Sequence, residues 1–255
     1  MAMHLFLKSL IVAFVVTQIA IFTTTIFLHR TASHRAIKLS KPVTMVFRVI
    51  TWITTGIRPR QWVAVHRVHH AYTDVPGDPH SPTIEGFAAI QFGNVYYYRR
   101  TIKIPGLVER YAKDLAPDRL DSALLDRALL GLGVGIAILV LVFGWQVALV
   151  ASVLHTVMYL LLSGAINAIG HTFGRKTYDN LATNNNWLAL LTAGEGLHNN
   201  HHAAPTSAKL ALGKMQLDPA WPIISLLVAM KQAKIRHSEP KFVNPQRISR
   251  EVAPS

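Results

Sequence analysis

The sequence predicts an all-α integral membrane protein with about three transmembrane helices, further interfacial helices and a cytoplasmic helical cap. The first observation is that a chain of 255 residues is 51% hydrophobic, with a mean hydropathy of +0.28, and still carries a net charge of +13. The second is that three apolar runs approach the length of about 20 residues that crosses a bilayer. The third is that most of its 13 histidines lie at the ends of those runs.

The three runs differ in composition from the other apolar segments of the chain. They cover Leu5–Leu28, Leu124–Phe143 and Gln146–Ala168. The first run resembles a signal peptide, but its apolar core is too long and no small-residue cleavage site follows, so we expect a retained helix. The segment Pro42–Gly56 is apolar but short and carries Arg48, which favours an interfacial or protein-covered helix.

The basic residues predict the orientation of the chain. Of the 26 Lys and Arg residues, 14 lie between His29 and Leu120 and 10 lie after Gly170, whereas the turn Phe143–Trp145 contains none. Positively charged segments stay in the cytoplasm. Residues 29–121 and 169–240 are therefore expected on the cytoplasmic side of a bacterial inner membrane, with the amino terminus outside.

The same composition excludes several classes of function. The basic residues are spread along membrane-adjacent segments and form no nucleic-acid-binding motif, so we expect contact with membrane lipid and not with nucleic acid. The absence of cysteine excludes disulfides, Fe–S clusters and thiol catalysis. We predict one membrane domain over residues 1–240, followed by a polar and loose tail over residues 241–255.

Nine histidines fall in four places in the sequence. They are His29 and His34, then His66, His69 and His70, then His171, and finally His198, His201 and His202. Positions i, i+3 and i+4 of a helix share one face, so each H-x-x-H-H motif is expected to direct three imidazoles at a common point. With the predicted spans, all four places lie at one depth on one side of the membrane.

Imidazole is a common ligand of iron, zinc and copper. A single zinc takes about four ligands, so nine histidines imply two metal ions. The alternative is that each histidine merely caps a helix or faces lipid headgroups, which nine residues at matched depth argue against. His155 lies inside the third run, sixteen residues before His171, and we expect it to be a neutral packing residue.

Four segments of the chain resemble the integral-membrane fatty acid desaturases of the acyl-CoA Δ9 (stearoyl-CoA desaturase-like) class, in their short bacterial form. The segments are "HRTASHR", "HRVHHAYTDVPGDPHS", "NAIGHTFG" and "GEGLHNNHH", and the resemblance extends from His29 to about Leu227. The histidine motifs occur in the order H-x4-H, H-x2-H-H, H-x2-H-H. The resemblance implies two irons bound by the nine histidines, with Asn167 holding one iron through water, and O2 as co-substrate.

The resemblance also suggests roles for residues around the metals, and no catalytic acid or base beyond the metal centre. Trp62 matches a tryptophan that lines the acyl tunnel of the family. Asp74, Asp78 and His80 follow the second motif and are expected to hydrogen-bond to ligand histidines, as carboxylates near metal sites usually do. Glu195 in "GEGLHNN" matches a glutamate with the same role.

The chain also departs from its relatives. The animal enzymes have two spans before the first histidine motif, whereas this chain has room for one. No H-P-G-G haem motif occurs, so the electrons are expected from an external donor such as a ferredoxin or a cytochrome b5-like protein. The segment "AAPTSAKLAL" replaces an aromatic-rich one, which leaves the acyl carrier open among CoA, acyl carrier protein and lipid.

The resulting hypothesis is an O2-dependent fatty acid desaturase that introduces a cis double bond, at Δ9, into a saturated acyl chain. One alternative is a related di-iron hydroxylase or ketolase that acts on a lipid or a carotenoid. Another is a non-enzymatic, histidine-rich metal-binding or transport protein. That last class predicts polar ligands within the spans, whereas the histidines of this chain lie at the ends of the spans.

Overall fold

The computed structural model describes residues 2–237 and 239–243. The predicted tail over residues 241–255 therefore lies outside the described residues from position 244 onward. The described part is mostly helical. Its α-helices are α1 (Ala2–Thr23), α2 (Lys41–Thr55), α3 (Pro59–Tyr72), α4 (Pro82–Glu85), α5 (Phe87–Ile102), α6 (Leu107–Tyr111), α7 (Ala128–Phe143), α8 (Trp145–Ala168), α9 (Asn186–Leu191), α10 (His198–Ala203) and α11 (Ala220–Ala229).

Two helices of the described residues are long and apolar enough to cross a membrane. The first is the continuous helix Ala2–Ser33, in which α1 continues as a π-helix over Thr24–Ser33, and the second is α8. Both contain the predicted spans, and they pack against each other along much of their length.

The second predicted span, Leu124–Phe143, is shorter than expected. Helix α7 has 16 residues, or about 24 Å at 1.5 Å per residue, whereas the apolar core of a bilayer is about 30 Å thick. Its predicted start at Leu124 is wrong, because Asp121–Leu125 forms a separate π-helical turn. The charged pair Asp126 and Arg127 interrupts the apolar run before α7 begins. Three spans therefore remain a prediction.

Helix α2 corresponds to the segment predicted as an interfacial or protein-covered helix, and only Thr51 and Trp52 are buried within it. It begins after Ser40, whose side chain accepts a hydrogen bond from the Val43 amide, and it ends at Gly56 in the left-handed conformation. Helix α7 covers it through small residues. A Cβ atom on Gly131 would lie 2.5 Å from the carbonyl oxygen of Trp52, so the two backbones approach each other as they do in membrane helix pairs.

His155 links three helices in this apolar region. Its Nδ1 atom lies 2.9 Å from the hydroxyl of Thr17 on α1, and its Nε2 atom donates to the carbonyl of Thr54 at 2.8 Å, near the end of α2. The expected packing histidine is thus also a hydrogen-bonding residue. It satisfies a carbonyl at a helix end, where intrahelical donors are missing.

A two-stranded sheet is the part of the fold that the all-α prediction missed. Strand β1 (Ile37–Leu39) pairs antiparallel with β2 (Ala233–Ile235). The sheet joins the chain just after the first histidine motif to the chain that follows α11. Residues of both strands pack into the largest apolar cluster with Phe27, Leu28 and Ile224, so this cluster supports the carboxyl end of the long first helix, which carries the first histidine motif.

Candidate metal centre

The first histidine motif depends on the π-helix. In a π-helix the hydrogen bonds run between residues five apart, and the amide of His34 donates to the carbonyl of His29 at 3.1 Å. Two side chains five residues apart therefore lie one turn apart on the same face, where an α-helix would separate them. Their rings meet edge to face, with centroids 4.8 Å apart.

The structure brings the nine histidines into two adjoining groups in the described part of the chain. In each group the ring nitrogens that face one another all lie within 4.8 Å. We call them the five-histidine group and the four-histidine group. The five-histidine group is His29, His34, His66, His70 and His201, and the four-histidine group is His69, His171, His198 and His202.

The Nε2 atoms of these histidines point at one another, so two lone pairs face each other wherever neither ring carries its hydrogen on Nε2. Imidazole nitrogens at such distances repel each other unless a proton or a cation lies among them. In the five-histidine group the separations are 2.7 Å for His34–His66, 3.0 Å for His29–His201 and 2.9 Å for His70–His201. In the four-histidine group they are 3.2 Å for His69–His202 and 3.1 Å for His198–His202.

The two H-x-x-H-H motifs do not each converge on one point, and this detail of the sequence prediction is wrong. Helix α3 gives His66 and His70 to the five-histidine group but His69 to the four-histidine group. Helix α10 does the reverse, since only His201 joins the five-histidine group. The cause is the helical rotation of about 100° between positions i+3 and i+4, which separates two neighbouring imidazoles enough to serve two centres.

Buried carboxylates hold two ligands of the four-histidine group. Asp78 accepts from Nδ1 of His69, with both carboxylate oxygens at 3.0 Å, and Asp74 accepts from Nδ1 of His171 at 2.6 Å. A proton on Nδ1 leaves the lone pair of Nε2 directed into the group. Burial raises the pKa of Asp78, but the electrostatic interaction and the hydrogen bond with His69 outweigh it and hold that pKa at about 2.

One carboxylate holds the five-histidine group. Glu195 accepts from Nδ1 of His29 at 2.8 Å, and it also accepts from the hydroxyl of Thr25. Burial raises the pKa of Glu195, but the electrostatic interaction and the hydrogen bond with His29 outweigh burial and lower it. Each of the three carboxylates proposed from sequence thus contacts a histidine of the two groups.

The remaining candidates lie beside the groups. The ring of Trp62 stacks on that of His66, with centroids 5.0 Å apart. The ring of His80 lies 4.7 Å from that of His69, but its buried Nε2 atom has no hydrogen-bond partner, so the expected hydrogen bond to a histidine of the two groups is absent among the described residues. Burial and the electrostatic repulsion of His69 lower the pKa of His80 to about 3. Asn167 lies in the last turn of α8, where its carbonyl accepts from the His171 amide at 3.1 Å.

The donor set fits two divalent transition-metal ions. Among the described residues, the buried Nε2 atom of His171 has no hydrogen-bond partner, as expected of a nitrogen atom whose lone pair binds a metal ion. Three buried carboxylates supply negative charge to offset the cations. Burial, followed by repulsion between neighbouring imidazoles, keeps most of these rings neutral by lowering the pKa well below 6.5 for His34, His66, His70, His198, His201 and His202.

Comparison with known proteins agrees with this geometry. The family model described as fatty acid desaturase matches residues 7–231, which include both histidine groups. The chain belongs to the fatty acid desaturase family. It is accordingly an oxidoreductase that acts on acyl chains.

Three curated relatives of this desaturase differ in the acyl carrier that their names state. The acyl-CoA C20 Delta5-desaturase of Anemone leveillei is 34% identical over 86% of this chain and 71% of its own length. The sn-1 stearoyl-lipid 9-desaturase of Anabaena variabilis is 30% identical over 80% and 74%. The hex-5-enoyl-[acyl-carrier protein] acetylenase of Moorena producens is 30% identical over 77% and 67%.

The desaturase fold also uses residues that the sequence reasoning missed. Asn199 lies between two ligand histidines of α10, and its side chain accepts from the amides of Thr177 and Tyr178 and donates to the carbonyl of Ala182. Its neighbour Asn200 donates to the carbonyl of Leu210 at 2.8 Å. The sequence did contain a signal for them, namely two consecutive asparagines within a histidine motif, because buried side-chain amides need hydrogen-bond partners.

Proposed function

We propose that this chain is an O2-dependent fatty acid desaturase that introduces a cis double bond, at Δ9, into a saturated acyl chain. Two irons occupy the two histidine groups, and an external protein such as a ferredoxin or a cytochrome b5-like protein supplies the electrons. The observation that carries the proposal is the pair of buried, inward-pointing imidazole groups in a chain of the desaturase family. The family match also supports a single domain over residues 1–240.

Iron bound in both groups would supply the O2-dependent oxidation of an unactivated methylene pair. In the overall reaction, O2, two electrons and two protons remove one hydrogen from each of two adjacent carbons and leave two molecules of water. The protein residues hold the ions, orient their ligands and exclude water. Asp74, Asp78 and Glu195 orient three of the ligands, and we assign Asn167 to one iron through water.

A cavity of about 520 Å³ supports a route for the acyl chain. Its lining includes Phe27 and Ala32, and both belong to apolar clusters against which Trp62 packs. Trp62 in turn stacks on His66, so these clusters connect the apolar part of the cavity wall to the five-histidine group. The cavity volume is within the range typical of ligand sites.

The lining of the cavity carries charges of both signs. Its basic residues are Arg48, Arg58, Arg60 and Lys103, and its acidic residues are Glu109, Asp118, Asp121 and Asp126. Because the two signs are equal in number, the cavity does not select among CoA, acyl carrier protein and phospholipid as the carrier. Assays with the three carriers distinguish among them.

The orientation in the membrane follows from the two long helices. The helix Ala2–Ser33 and helix α8 both lead into the metal centre at their carboxyl ends. A chain that leaves the first helix on one side must return across the bilayer before α8 can run in the same direction, and α7 is the element in position to do so. With the basic segments, this supports three spans and a metal centre on the cytoplasmic side of a bacterial inner membrane.

A related di-iron hydroxylase or ketolase would use the same ligands and is the second candidate. A non-enzymatic metal-binding protein is disfavoured, because the chain belongs to a family of oxidoreductases. The test is the lipid profile of a host that lacks its own desaturase and expresses this chain. We expect new monounsaturated fatty acids, with the position of the double bond read from derivatised esters by mass spectrometry.

The matched control is the same strain carrying His69→Ala. Hydroxylated products in place of unsaturated ones would favour the second candidate. Unchanged fatty acids from an iron-loaded, inserted protein would contradict both enzymatic proposals. Assays in detergent with stearoyl-CoA, stearoyl-acyl carrier protein and stearoyl-phospholipid then distinguish the carriers.

A further inference from the structure

Arg30 is a buried charge beside a metal-ligand candidate, and each of its donor hydrogens has an acceptor. Its exposed fraction is 1%. The guanidinium donates from Nε to the hydroxyl of Thr25 at 3.2 Å, from Nη1 to the carbonyl of Ala208 and to Asp218, and from Nη2 to the carbonyl of Ala193 and to Asp218. An arginine has five donor hydrogens and no acceptor. Arg30 is therefore the donor in each of these hydrogen bonds.

The direction of hydrogen bonding also follows for Thr25, Glu195 and His29. Because Arg30 can only donate, the oxygen of Thr25 is an acceptor there, and the hydroxyl hydrogen is free for another partner. Glu195 is in hydrogen-bond contact with that hydroxyl and can only accept, so Thr25 donates to it. The same oxygen of Glu195 accepts from Nδ1 of His29 at 2.8 Å, so the proton of His29 lies on Nδ1.

We propose that Thr25 and Arg30 are positioning residues that set the tautomer and ring orientation of His29 through Glu195. With Nδ1 protonated, the lone pair of Nε2 faces the five-histidine group, where it lies 3.0 Å from Nε2 of His201. The other tautomer would direct an N–H bond at the metal and could not ligate it. This inference rests on the proposed function in one respect, namely that His29 binds a metal ion.

We call the hydrogen-bonded series Arg30, Thr25, Glu195 and His29 the relay. The five-histidine group depends on the relay more than the four-histidine group does. Among the described residues, no histidine of the five-histidine group other than His29 has a hydrogen bond to a carboxylate, whereas Asp74 and Asp78 hold two members of the four-histidine group. Loss of the relay should therefore weaken one metal site and leave the other unchanged. A general loss of folding would weaken both.

A glycine next to the relay leaves room for it. Gly194 has a φ of +105°, and a Cβ atom there would lie 2.4 Å from Oδ1 of Asp218 and 2.8 Å from Nη2 of Arg30. Any side chain at this position would displace the pair that holds the guanidinium. The glycine also precedes Glu195 directly, so the loop that carries the carboxylate is shaped around Arg30.

The test is an anaerobic titration of metal-free, detergent-purified protein with Fe²⁺, combined with measurement of bound iron per chain. Thr25→Val removes the hydroxyl with little change in volume and leaves the other bonds of Arg30 in place. We expect the affinity of one of the two iron sites to fall by about 10- to 100-fold, as for other residues that support metal ligands, and the second site to stay as in wild type. Thr25→Ser keeps the hydroxyl and should restore both sites.

The matched control is Thr23→Val, two residues earlier on the same helix. Thr23 is also buried, but its hydroxyl donates to the carbonyl of Ile19 at 2.7 Å and contacts no residue of the relay. Equal loss in both variants, wild-type iron binding in Thr25→Val, or failure of serine to rescue would each overturn the inference. A wild-type protein that binds no iron would overturn the proposed function and the inference together.

Discussion

His66 and His69 lie three residues apart on α3, yet their Nε2 atoms face different groups. That of His66 lies 2.7 Å from Nε2 of His34, and that of His69 lies 3.2 Å from Nε2 of His202. One helix therefore contributes to both histidine groups, and α10 does the same. Under the two-iron proposal, the separation between the metals depends on these two helices rather than on loops.

Removal of one ligand from each of these helices should abolish activity. His69 and His201 are almost fully buried, with exposed fractions of 0% and 1%. A side chain at the protein surface therefore cannot replace either imidazole in the site. We expect His69→Ala and His201→Ala each to eliminate the unsaturated fatty acids made by the chain. Gas chromatography of total fatty acids, normalised to membrane-inserted protein, measures this. Substantial activity in either variant would remove that histidine from the site.

His155→Ala is expected to affect stability and not activity. The substitution removes hydrogen bonds to Thr17 and to the carbonyl of Thr54, and the loss of a buried hydrogen bond costs about 1–3 kcal/mol. Thermal unfolding in detergent should show a lower midpoint, while fatty acid profiles per inserted protein stay near wild type. A complete loss of product at normal protein levels would show that His155 belongs to the reaction site.

The carboxylates that hold His171 and His69 should control metal affinity. Asp74→Asn and Asp78→Asn remove a charged acceptor from Nδ1, and we expect Fe²⁺ affinity at the four-histidine group to fall by about 10- to 100-fold. Asp118→Asn is the control, because Asp118 pairs with Arg48 and is half exposed. Unchanged iron binding in both of the first two variants, measured by titration, would contradict the orienting role.

The predicted orientation can be tested with reporter fusions. A reporter attached after Ser255 should be active only in the form that reports the cytoplasm, and one attached before Ala2 only in the periplasmic form, since most basic residues lie in two segments of one side. Periplasmic activity at the carboxyl end would mean that α7 does not cross the membrane. A reporter inserted at the turn before Trp145 provides the internal control.

The sequence identified the residues of the centre better than their arrangement. The two H-x-x-H-H motifs selected six of the nine histidines, and the positions of His29, His34 and His171 at the ends of the apolar runs selected the other three. The rotation between positions i+3 and i+4 could have predicted how each H-x-x-H-H motif divides. The π-helix at His29 could not be read in the same way, because nothing in the composition distinguishes i+5 from i+4 hydrogen bonding. The contact between Arg30 and Asp218 joins residues 188 positions apart, and only the folded chain brings such residues together.

The most direct test of the account is the iron content of three proteins purified under the same conditions. Wild type should bind two irons per chain, His34→Ala should keep only the iron of the four-histidine group, and His171→Ala only that of the five-histidine group. Zinc must be kept low during expression, because it competes with Fe²⁺ at nitrogen ligands. One tightly bound zinc in the wild type, or no iron after supplementation, would contradict the two-iron centre.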